Sequence, residues 1–208
     1  MLLIERFRKE YSEKVILTID KLHFAEGIHW VKGVNGSGKS TLFKCLAGLS
    51  PYQGSISCHG VDLSKSPIEY KLQVNYAQAE PVFPASLTGR QVFDFFAQLK
   101  RANKVQASEL TEKFELDSFL DQSVKSYSSG MGKKLALALA FLGQPKLVLL
   151  DEPFNALDAK SREVLFTLIE AQHEKGCSFL LSTHHDFGSE LNLQTKKWMV
   201  KNQTVTEE

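Results

Sequence analysis

Cysteine is scarce in this sequence, and neither sign of charge is in excess. The three cysteines, Cys45, Cys58 and Cys177, are scattered and have no C-x-x-C spacing. That pattern argues against a disulfide framework and against a zinc site, and it favours a reducing cytosol. The 25 basic and 24 acidic residues leave a formal charge of +1. Without a strong positive field, we expect no nucleic-acid partner.

Long hydrophobic runs are also lacking. The longest apolar run, Leu135 to Gly143, is about half as long as a membrane-spanning helix. The first ten residues, Met1 to Glu10, are too charged for a signal peptide. We therefore expect that the chain does not itself cross a membrane. With 43% hydrophobic residues, no internal repeat and no long linker, residues 1–208 are expected to form one domain.

What the sequence does contain is a glycine-rich stretch, Gly33 to Thr41, that fits the pattern G-x-x-x-x-G-K-[ST]. It follows the apolar run Ile28–Val31 and precedes the helix-like segment Thr41–Ala47, which predicts a strand, a tight turn and a helix. In such a turn, backbone N–H groups and the helix N-terminus point at one anion. Lys39 would reach the β- and γ-phosphates, and the Ser40 hydroxyl would ligate Mg²⁺. The nucleotide-binding residues predicted in this stretch are Asn35, Gly36, Ser37, Gly38, Lys39, Ser40 and Thr41.

A second set of candidate residues lies at the ends of predicted strands. The unbroken apolar run Leu147–Leu150 is typical of a strand buried in a parallel sheet, and Asp151 and Glu152 follow it. Ligands of α/β folds bind at this end of the strands. We expect Asp151 to hold the Mg²⁺ shell, and Glu152 to act as the base or to orient the attacking water. A further buried strand, Ser178–Thr183, ends at His184, a histidine that is either structural or in contact with the γ-phosphate or the water.

The remaining segments predict strands and helices around these sites. Short apolar runs between residues 11 and 31 indicate a meander of short strands, and the alternation over Tyr70–Tyr76 indicates another strand. Residues 84–126 have apolar side chains at helical spacing, which predicts a helical subdomain. Three phenylalanines of this subdomain belong either to the core or to a groove for a partner's helix. They are Phe93, Phe95 and Phe96.

Two features remain towards the C-terminus. The polar, glycine-rich turn Ser128–Lys134 precedes a helical run, Leu135–Phe141, so it predicts a helix N-cap that could also hold an anion. The segments Lys196–Lys201 and Thr204–Thr206 predict a hairpin at the edge of a sheet.

The order of these motifs resembles the nucleotide-binding domain of ABC transporters over nearly all 208 residues. By this resemblance Lys39, Ser40 and Thr41 belong to the Walker A motif, and Asp151 and Glu152 to Walker B. Asn155–Asp158 is similar to the D-loop, with Asp158 at the nucleotide, and His184 to the switch histidine. The fold class implied is an α/β P-loop ABC cassette with a mainly parallel core sheet, an N-terminal antiparallel β-subdomain and a helical subdomain at about 84–126.

Three motifs match the family less closely. The signature stretch is Tyr127–Met131, which resembles a variant found in cassettes that are separate polypeptides, and by the resemblance Ser128, Ser129 and Gly130 contact phosphate. The family's Q-loop glutamine falls at Ala79, so either Gln78 or Glu80 takes its role, with Gln78 a candidate Mg²⁺ ligand. Tyr11 resembles the aromatic residue that stacks on adenine, with Phe7 and Phe24 as alternatives.

The resemblance implies an ATPase that uses ATP and Mg²⁺ to drive transport. Two copies, or this chain and a paralogous cassette, would pack head to tail, with each ATP between Lys39 of one cassette and Ser128 of the other. The dimer would drive a separate transmembrane permease subunit, docked over the Q-loop and the Phe-rich helical insert. It would then be cytoplasmic and peripheral on the inner face of the cell membrane.

Two other functions are weighed against this one. Soluble ABC ATPases of translation or DNA repair resemble two cassettes in one chain, or one cassette split by a long coiled coil, and neither pattern is present. A regulatory module that does not hydrolyse ATP is disfavoured by Glu152. Neither the transported substrate nor the direction of transport follows from the sequence.

Overall fold

The computed structural model describes residues 1–183 and 194–208, so His184 lies outside the described residues. Strands alternate with helices through most of this length. The strands are β1 (Leu2–Tyr11), β2 (Lys14–Phe24), β3 (Ile28–Lys32), β4 (Gln53–Cys58), β5 (Val61–Asp62), β6 (Val74–Ala77), β7 (Leu147–Asp151), β8 (Ser178–Ser182), β9 (Thr195–Lys201) and β10 (Thr204–Glu207). The helices are α1 (Lys39–Leu46), α2 (Pro67–Gln73), α3 (Gly89–Leu99), α4 (Lys104–Lys113), α5 (Ser129–Ala140) and α6 (Ala159–Glu174).

The N-terminal strands form an antiparallel sheet in the order β2-β1-β4-β5. The predicted meander of short strands between residues 11 and 31 is wrong in its details. Its first two apolar runs belong to one long strand, β2, and its third run is β3, which lies in the other sheet. The charged residues before Tyr11, which were not assigned to a strand, form β1 and pair with both β2 and β4.

The core sheet has six strands in the order β10-β9-β3-β8-β7-β6. Its neighbours are parallel except β9 and β10, which form the antiparallel hairpin expected at the edge. Every residue of β7 and β8 is buried, as an unbroken apolar run in a parallel sheet predicts. The carboxyl ends of β3, β7 and β8 therefore meet at one edge of the sheet.

Two hydrophobic cores lie on opposite faces of this sheet. Along β7, Val148 and Leu150 belong to the core shared with α3 to α6, whereas Leu147 and Leu149 belong to the core shared with α1, α2 and the antiparallel sheet. Alternate residues of a strand point to opposite faces, so a single buried strand serves both cores. The sheet edge that carries Asp151 is fixed by packing on both sides.

The segment 84–126 contains α3, α4 and two short 3₁₀ turns. α3 begins with a capping box, in which Thr88 and Gln91 each accept a hydrogen bond from the other's backbone N–H. Its three phenylalanines do not all belong to the core, and a groove for a partner's helix stays a prediction. Phe93 is buried in the core, whereas Phe95 is 62% exposed, and Phe96 both packs against the core and lines an external groove.

The predicted strand over Tyr70–Tyr76 is wrong for its first half. Residues Pro67–Gln73 form α2, which starts after Ser66 with a proline in its first turn, and only Val74–Ala77 is a strand. Tyr70 points inward, and its hydroxyl donates to the carbonyl of Leu46. The apolar alternation arose from a short helix joined directly to a short strand.

The helix predicted over Leu135–Phe141 is longer than expected, because α5 starts at Ser129, six residues before the predicted apolar run.

Candidate functional site

The glycine-rich loop connects β3 to α1 and curls around the Lys39 ammonium. Nζ of Lys39 donates to the carbonyl oxygens of Gly33 at 2.6 Å and of Val34 at 3.2 Å. Gly33 has φ 153°, and a Cβ there would lie 2.6 Å from Ser37 Oγ and 2.7 Å from the Val200 carbonyl oxygen, so no larger residue fits. The loop thus places a cation beside the N-terminus of α1, where the helix dipole favours an anion.

Asp151 ends β7 as a buried carboxylate with two hydroxyl donors. The Ser182 hydroxyl donates to one of its oxygens, and the Tyr76 hydroxyl donates to the other at 3.3 Å. Burial, followed by the charge of Asp151, raises the pKa of Tyr76 above its ordinary range, so this phenol remains a donor. The carboxylate is therefore oriented by β6 and β8, the two strands that flank it.

The strand register puts this carboxylate level with the start of the loop. Val31 on β3 and Asp151 on β7 are both paired with Ser182, on the strand between them. Neighbouring strands are about 4.8 Å apart, so Asp151 lies roughly 10 Å across the sheet edge from Val31. Side chains from the loop and from β7 can face one ligand there.

Glu152 has a left-handed backbone, with φ 44°. Its N–H is held by Ser182, through the carbonyl oxygen and the hydroxyl oxygen, both at 3.1 Å. A non-glycine residue in this conformation carries about 1–3 kcal/mol of strain that the surrounding contacts must offset. The turn directs Glu152 into a cleft of about 540 Å³.

This cleft brings together four segments that are far apart in the chain. They are the glycine-rich loop, the loop after β6, the start of α5 and the turn after β7. Of the residues predicted to act at the nucleotide, the cleft is lined by Asn35, Ser128, Ser129 and Glu152. Glu80 also lines it, whereas Gln78 lines the external groove on the other side of the same loop.

The start of α5 has the predicted N-cap. The Ser128 hydroxyl oxygen accepts from the Met131 N–H at 3.2 Å, which confirms the capping prediction. The first N–H groups of α5, at Ser129 and Gly130, lie at the positive end of its dipole. Contact of this turn with a phosphate stays a prediction.

Lys133, on the first turns of α5, was not singled out from the sequence. It is 1% exposed, and its ammonium donates to the carbonyl oxygens of Gln78 at 3.0 Å, Ala79 at 3.3 Å and Asp151 at 3.0 Å. Burial lowers its pKa to about 8. Its place two residues before the apolar run Leu135–Phe141 was a sequence signal for burial, whereas its hydrogen-bond partners were not visible in the sequence.

The Asp158 carboxylate has two partners within the chain. It caps α6 by accepting from the Ser161 N–H at 2.7 Å, and it pairs with Lys134 at 2.9 Å. The hydrogen bond from Ser161, followed by that from Lys134, lowers the pKa of Asp158 to about 2. Its carboxylate therefore links the D-loop to α5, and its predicted contact with nucleotide is untested.

The three aromatic candidates for adenine stacking differ in exposure. Phe7 and Phe24 are buried, whereas Tyr11 is 49% exposed. The Lys9 ammonium lies 4.2 Å from the centre of the Tyr11 ring. Of the three, only Tyr11 can offer a ring face to a ligand.

Mg²⁺ is compatible with the residues predicted to hold it at the sheet edge. In the part of the chain that the structure describes, no three His, Cys, Asp or Glu side chains come together as a metal site. The Ser40 hydroxyl and the Asp151 carboxylate offer the oxygen ligands that Mg²⁺ prefers, and this ion usually takes its remaining ligands from water and phosphate.

A strand, a glycine-rich loop around a lysine, a helix and a buried acidic strand end define the P-loop class of nucleotide-binding α/β proteins. A family model described as "ABC transporter" matches residues 21–155. The chain belongs to the ABC transporter family, and it is an ATP-binding cassette of the ATPase class. This confirms the family, fold class and ATP-binding role that the motifs imply.

Relatives agree with that assignment. The chain is 32% identical over 187 residues to the daunorubicin resistance ATP-binding protein DrrA2 of Streptomyces coeruleorubidus, covering 87% of this chain and 58% of that protein. It is 29% identical over 186 residues to the lantibiotic transport ATP-binding protein SrtF of Streptococcus pyogenes, covering 88% and 80%. The chain thus spans less than two thirds of DrrA2.

Solved structures show the same fold. An ATP-binding subunit of an ABC transporter superposes with a TM-score of 0.88 at 27% identity, covering 100% of this chain and 89% of that one. An ATP-binding cassette solved as a dimer with ADP and Pi has a TM-score of 0.83 at 21% identity, covering 100% and 98%. No helix within residues 1–183 and 194–208 is long and apolar enough to span a bilayer.

Proposed function

We propose that this chain hydrolyses ATP at the carboxyl edge of its core sheet and thereby powers a membrane transporter. The observation that carries the proposal is the strand register, which sets the Lys39 loop and the Asp151–Glu152 strand end level on either side of Ser182. A cation, a helix N-terminus and two carboxylates converge there. Phosphoryl transfer depends on such positioning and charge stabilisation.

The chemistry is divided among the residues of this edge. Lys39 binds the β- and γ-phosphates, and the N–H groups of the loop bind the remaining phosphate oxygens. Ser40 and Asp151 would hold Mg²⁺, which supplies neutralising charge at the phosphates. Glu152 accepts a proton from the attacking water or orients it. Tyr11 stacks on the adenine, and such a contact contributes on the order of 1 kcal/mol.

A dimer would complete each site. Ser128, Ser129 and Gly130 lie at the N-terminus of α5, a position that suits a phosphate of the ATP held by an opposing cassette. The partner is a second copy or a paralogous cassette, packed head to tail. The cassette of the same fold that was solved as a dimer with ADP and Pi supports dimerisation.

The membrane subunit would dock on an apolar groove beside the helical segment. This groove, of about 650 Å³, runs between α2, the loop after β6 and α3. Several exposed apolar residues line it, and an exposed patch of this kind marks an interaction surface. They are Leu49, Ile68, Val82, Phe95 and Leu99. Docked there, the cassette would be peripheral on the inner face of the cell membrane.

Glu152→Gln tests chemistry and assembly together. The amide keeps the shape of the carboxylate but loses its basicity, so ATPase should fall by about two orders of magnitude or more while ATP binding survives. With hydrolysis blocked, ATP should hold the closed dimer by mass action. We expect the variant to elute as a dimer with ATP and as a monomer with ADP in size-exclusion chromatography.

Lys39→Ala is the matched control. It removes the single basic side chain of the loop, so isothermal titration should detect no tight ATP binding. The double variant, which carries Lys39→Ala and Glu152→Gln together, should remain a monomer in the presence of ATP. A P-loop enzyme outside this family would lose rate without forming the ATP-dependent dimer. A regulatory module would have no wild-type rate to lose, and unchanged affinity in Lys39→Ala would exclude the phosphate-binding role.

A further inference from the structure

Lys133 makes three hydrogen bonds that join three separate parts of the site. Its ammonium projects from α5 and donates to two carbonyls of the loop after β6, those of Gln78 and Ala79, and to the carbonyl of Asp151 at the end of β7. An ammonium group has three N–H donors, so this geometry uses all of them. The acceptors are all backbone atoms, and they belong to the two segments that carry Glu80 and Glu152.

Packing alone does not require a lysine at this position. Lys133 is buried on a helix that is apolar from Leu135 onward, and an ammonium group is costly to bury unless its hydrogen bonds are satisfied. An apolar side chain would fill the space without that cost. What the lysine adds is a fixed distance between the loop after β6 and the end of β7.

The side chains of Ala79 and Glu80 do little to fix the loop after β6. Ala79 carries only a methyl group, and Glu80 is exposed at the cleft. The two carbonyls bound by Lys133 immediately precede Glu80 in the chain. Fixing these carbonyls therefore fixes the backbone next to Glu80, which lines the same cleft as Glu152.

We propose that Lys133 is a positioning residue for ATP hydrolysis, whose ammonium holds the 78–80 loop against the end of β7 so that Glu80 and Glu152 face one ligand. The proposal rests on the hydrolytic function proposed above. Lys133 itself touches backbone carbonyls, so it acts through the segments that it joins. Its loss should affect turnover more than nucleotide affinity.

Lys100 provides a matched control in the same chain. It is a partly buried lysine whose ammonium donates to two backbone carbonyls, those of Lys71 and Val74. It lines the external groove instead of the cleft. Replacing either lysine by methionine removes an ammonium that is bonded to backbone carbonyls, but only Lys133→Met releases the 78–80 loop.

The experiment compares Lys133→Met, Lys133→Arg and Lys100→Met with the wild-type chain. For Lys133→Met we expect kcat to fall about tenfold or more with KM for ATP within about twofold, as expected when geometry alone is disturbed. Lys133→Arg keeps the cation and its donors, so it should recover most of kcat. Lys100→Met should keep kcat within about twofold at a similar loss of Tm.

Hydrogen exchange of the nucleotide-free chain gives a readout independent of catalysis. The backbone amides of Gln78, Ala79, Glu80 and Val82 should exchange faster in Lys133→Met than in the wild-type chain, and at the wild-type rate in Lys100→Met. Wild-type kcat in a folded Lys133→Met, or an equal loss of kcat in Lys100→Met, would overturn the proposal. If the methionine variant does not fold, Lys133→Gln carries the same comparison. Absence of ATPase activity in the wild-type chain would refute the proposed hydrolytic function. Unchanged hydrogen exchange in Lys133→Met would refute the proposal that Lys133 holds the 78–80 loop.

Discussion

Glu80 and Gln78 stand two residues apart on one loop and face different cavities. Glu80 lines the cleft with Asn35 and Glu152, whereas the Gln78 side chain lines the external groove. A carboxylate in the cleft can act on water or on a metal-bound ligand. The structure therefore favours Glu80 over Gln78 for the role left open by the alanine at position 79.

Alanine substitution separates the two candidates. Glu80→Ala should lower the steady-state ATPase rate by about tenfold or more, because a carboxylate that faces the reacting groups is lost. Gln78→Ala, the matched control, should leave the rate of the isolated chain nearly unchanged. The reverse ranking would transfer the role to Gln78 and would mean that its side chain swings into the cleft when nucleotide binds.

For single residues, the sequence predicts a role only where that role depends on neighbouring positions in the chain. Lys39, Asp151 and Glu152 could be predicted as site residues because the prediction depends on local spacing, after a glycine-rich turn or at the end of an apolar run. Choosing between Gln78 and Glu80 needed the direction of side chains, which spacing does not give. The role of Lys133 depends on carbonyls more than 50 positions before it in the chain, so only the fold could reveal it.

At the level of elements, the start of α3 packs closely against the turn before α5. The Tyr127 hydroxyl donates to the carbonyl of Phe119 at 3.0 Å. The same hydroxyl oxygen lies 1.8 Å from the position that a Cβ at Gly89 would take. Gly89 is the first residue of α3, and Tyr127 immediately precedes the Ser128 cap. Only a residue without a side chain lets both elements approach so closely.

A double-mutant cycle tests this contact. Gly89→Ala should destabilise the chain by about 1–3 kcal/mol through overpacking, and Tyr127→Phe should cost about 1 kcal/mol for the lost hydrogen bond. Removing the hydroxyl makes room for the new methyl group, so the double variant should be more stable than the sum predicts, by about 0.5 kcal/mol or more. Urea denaturation measures this coupling, and strictly additive losses would rule out the contact.

The elements that sequence periodicity missed are those whose pattern is interrupted. In β1 the buried residues shift from Leu2 and Ile4 to Phe7 and Lys9, because Arg6 has a positive φ of 50° and breaks the alternation. The two unbroken apolar strands β7 and β8, short but regular, were predicted closely. Periodicity identifies an element only over the length for which its backbone stays regular.

At the scale of the molecule, the two candidate surfaces lie on either side of the loop after β6. The cleft that contains Glu152 faces one side and the apolar groove faces the other, and Pro81 and Phe83 line both. A partner seated in the groove would touch the same few residues that border the cleft. Under the proposed function, this short connection offers a route by which hydrolysis would be coupled to a membrane subunit.

Site-directed photo-crosslinking tests the docking surface. A benzoylphenylalanine at Phe95, which is 62% exposed in the groove, should form an adduct with an integral membrane protein in membranes of the source organism. The control position is Val105 on α4, which is 68% exposed and does not line the groove. No Phe95 adduct, or equal adducts at both positions, would argue against docking there.

The order of strands in the core sheet has a consequence for synthesis of the protein. β1, β2, β4 and β5 all lie within residues 2–62, so the antiparallel sheet can form while the rest of the chain is still being made. Among the described residues, β3 pairs with β8 and β9, which begin about 150 residues after it. The glycine-rich loop that follows β3 therefore lacks its supporting strands until residues 178–201 have been translated. An incomplete chain on the ribosome should be unable to capture ATP, and the capacity to bind nucleotide should arise only once the C-terminal strands have emerged.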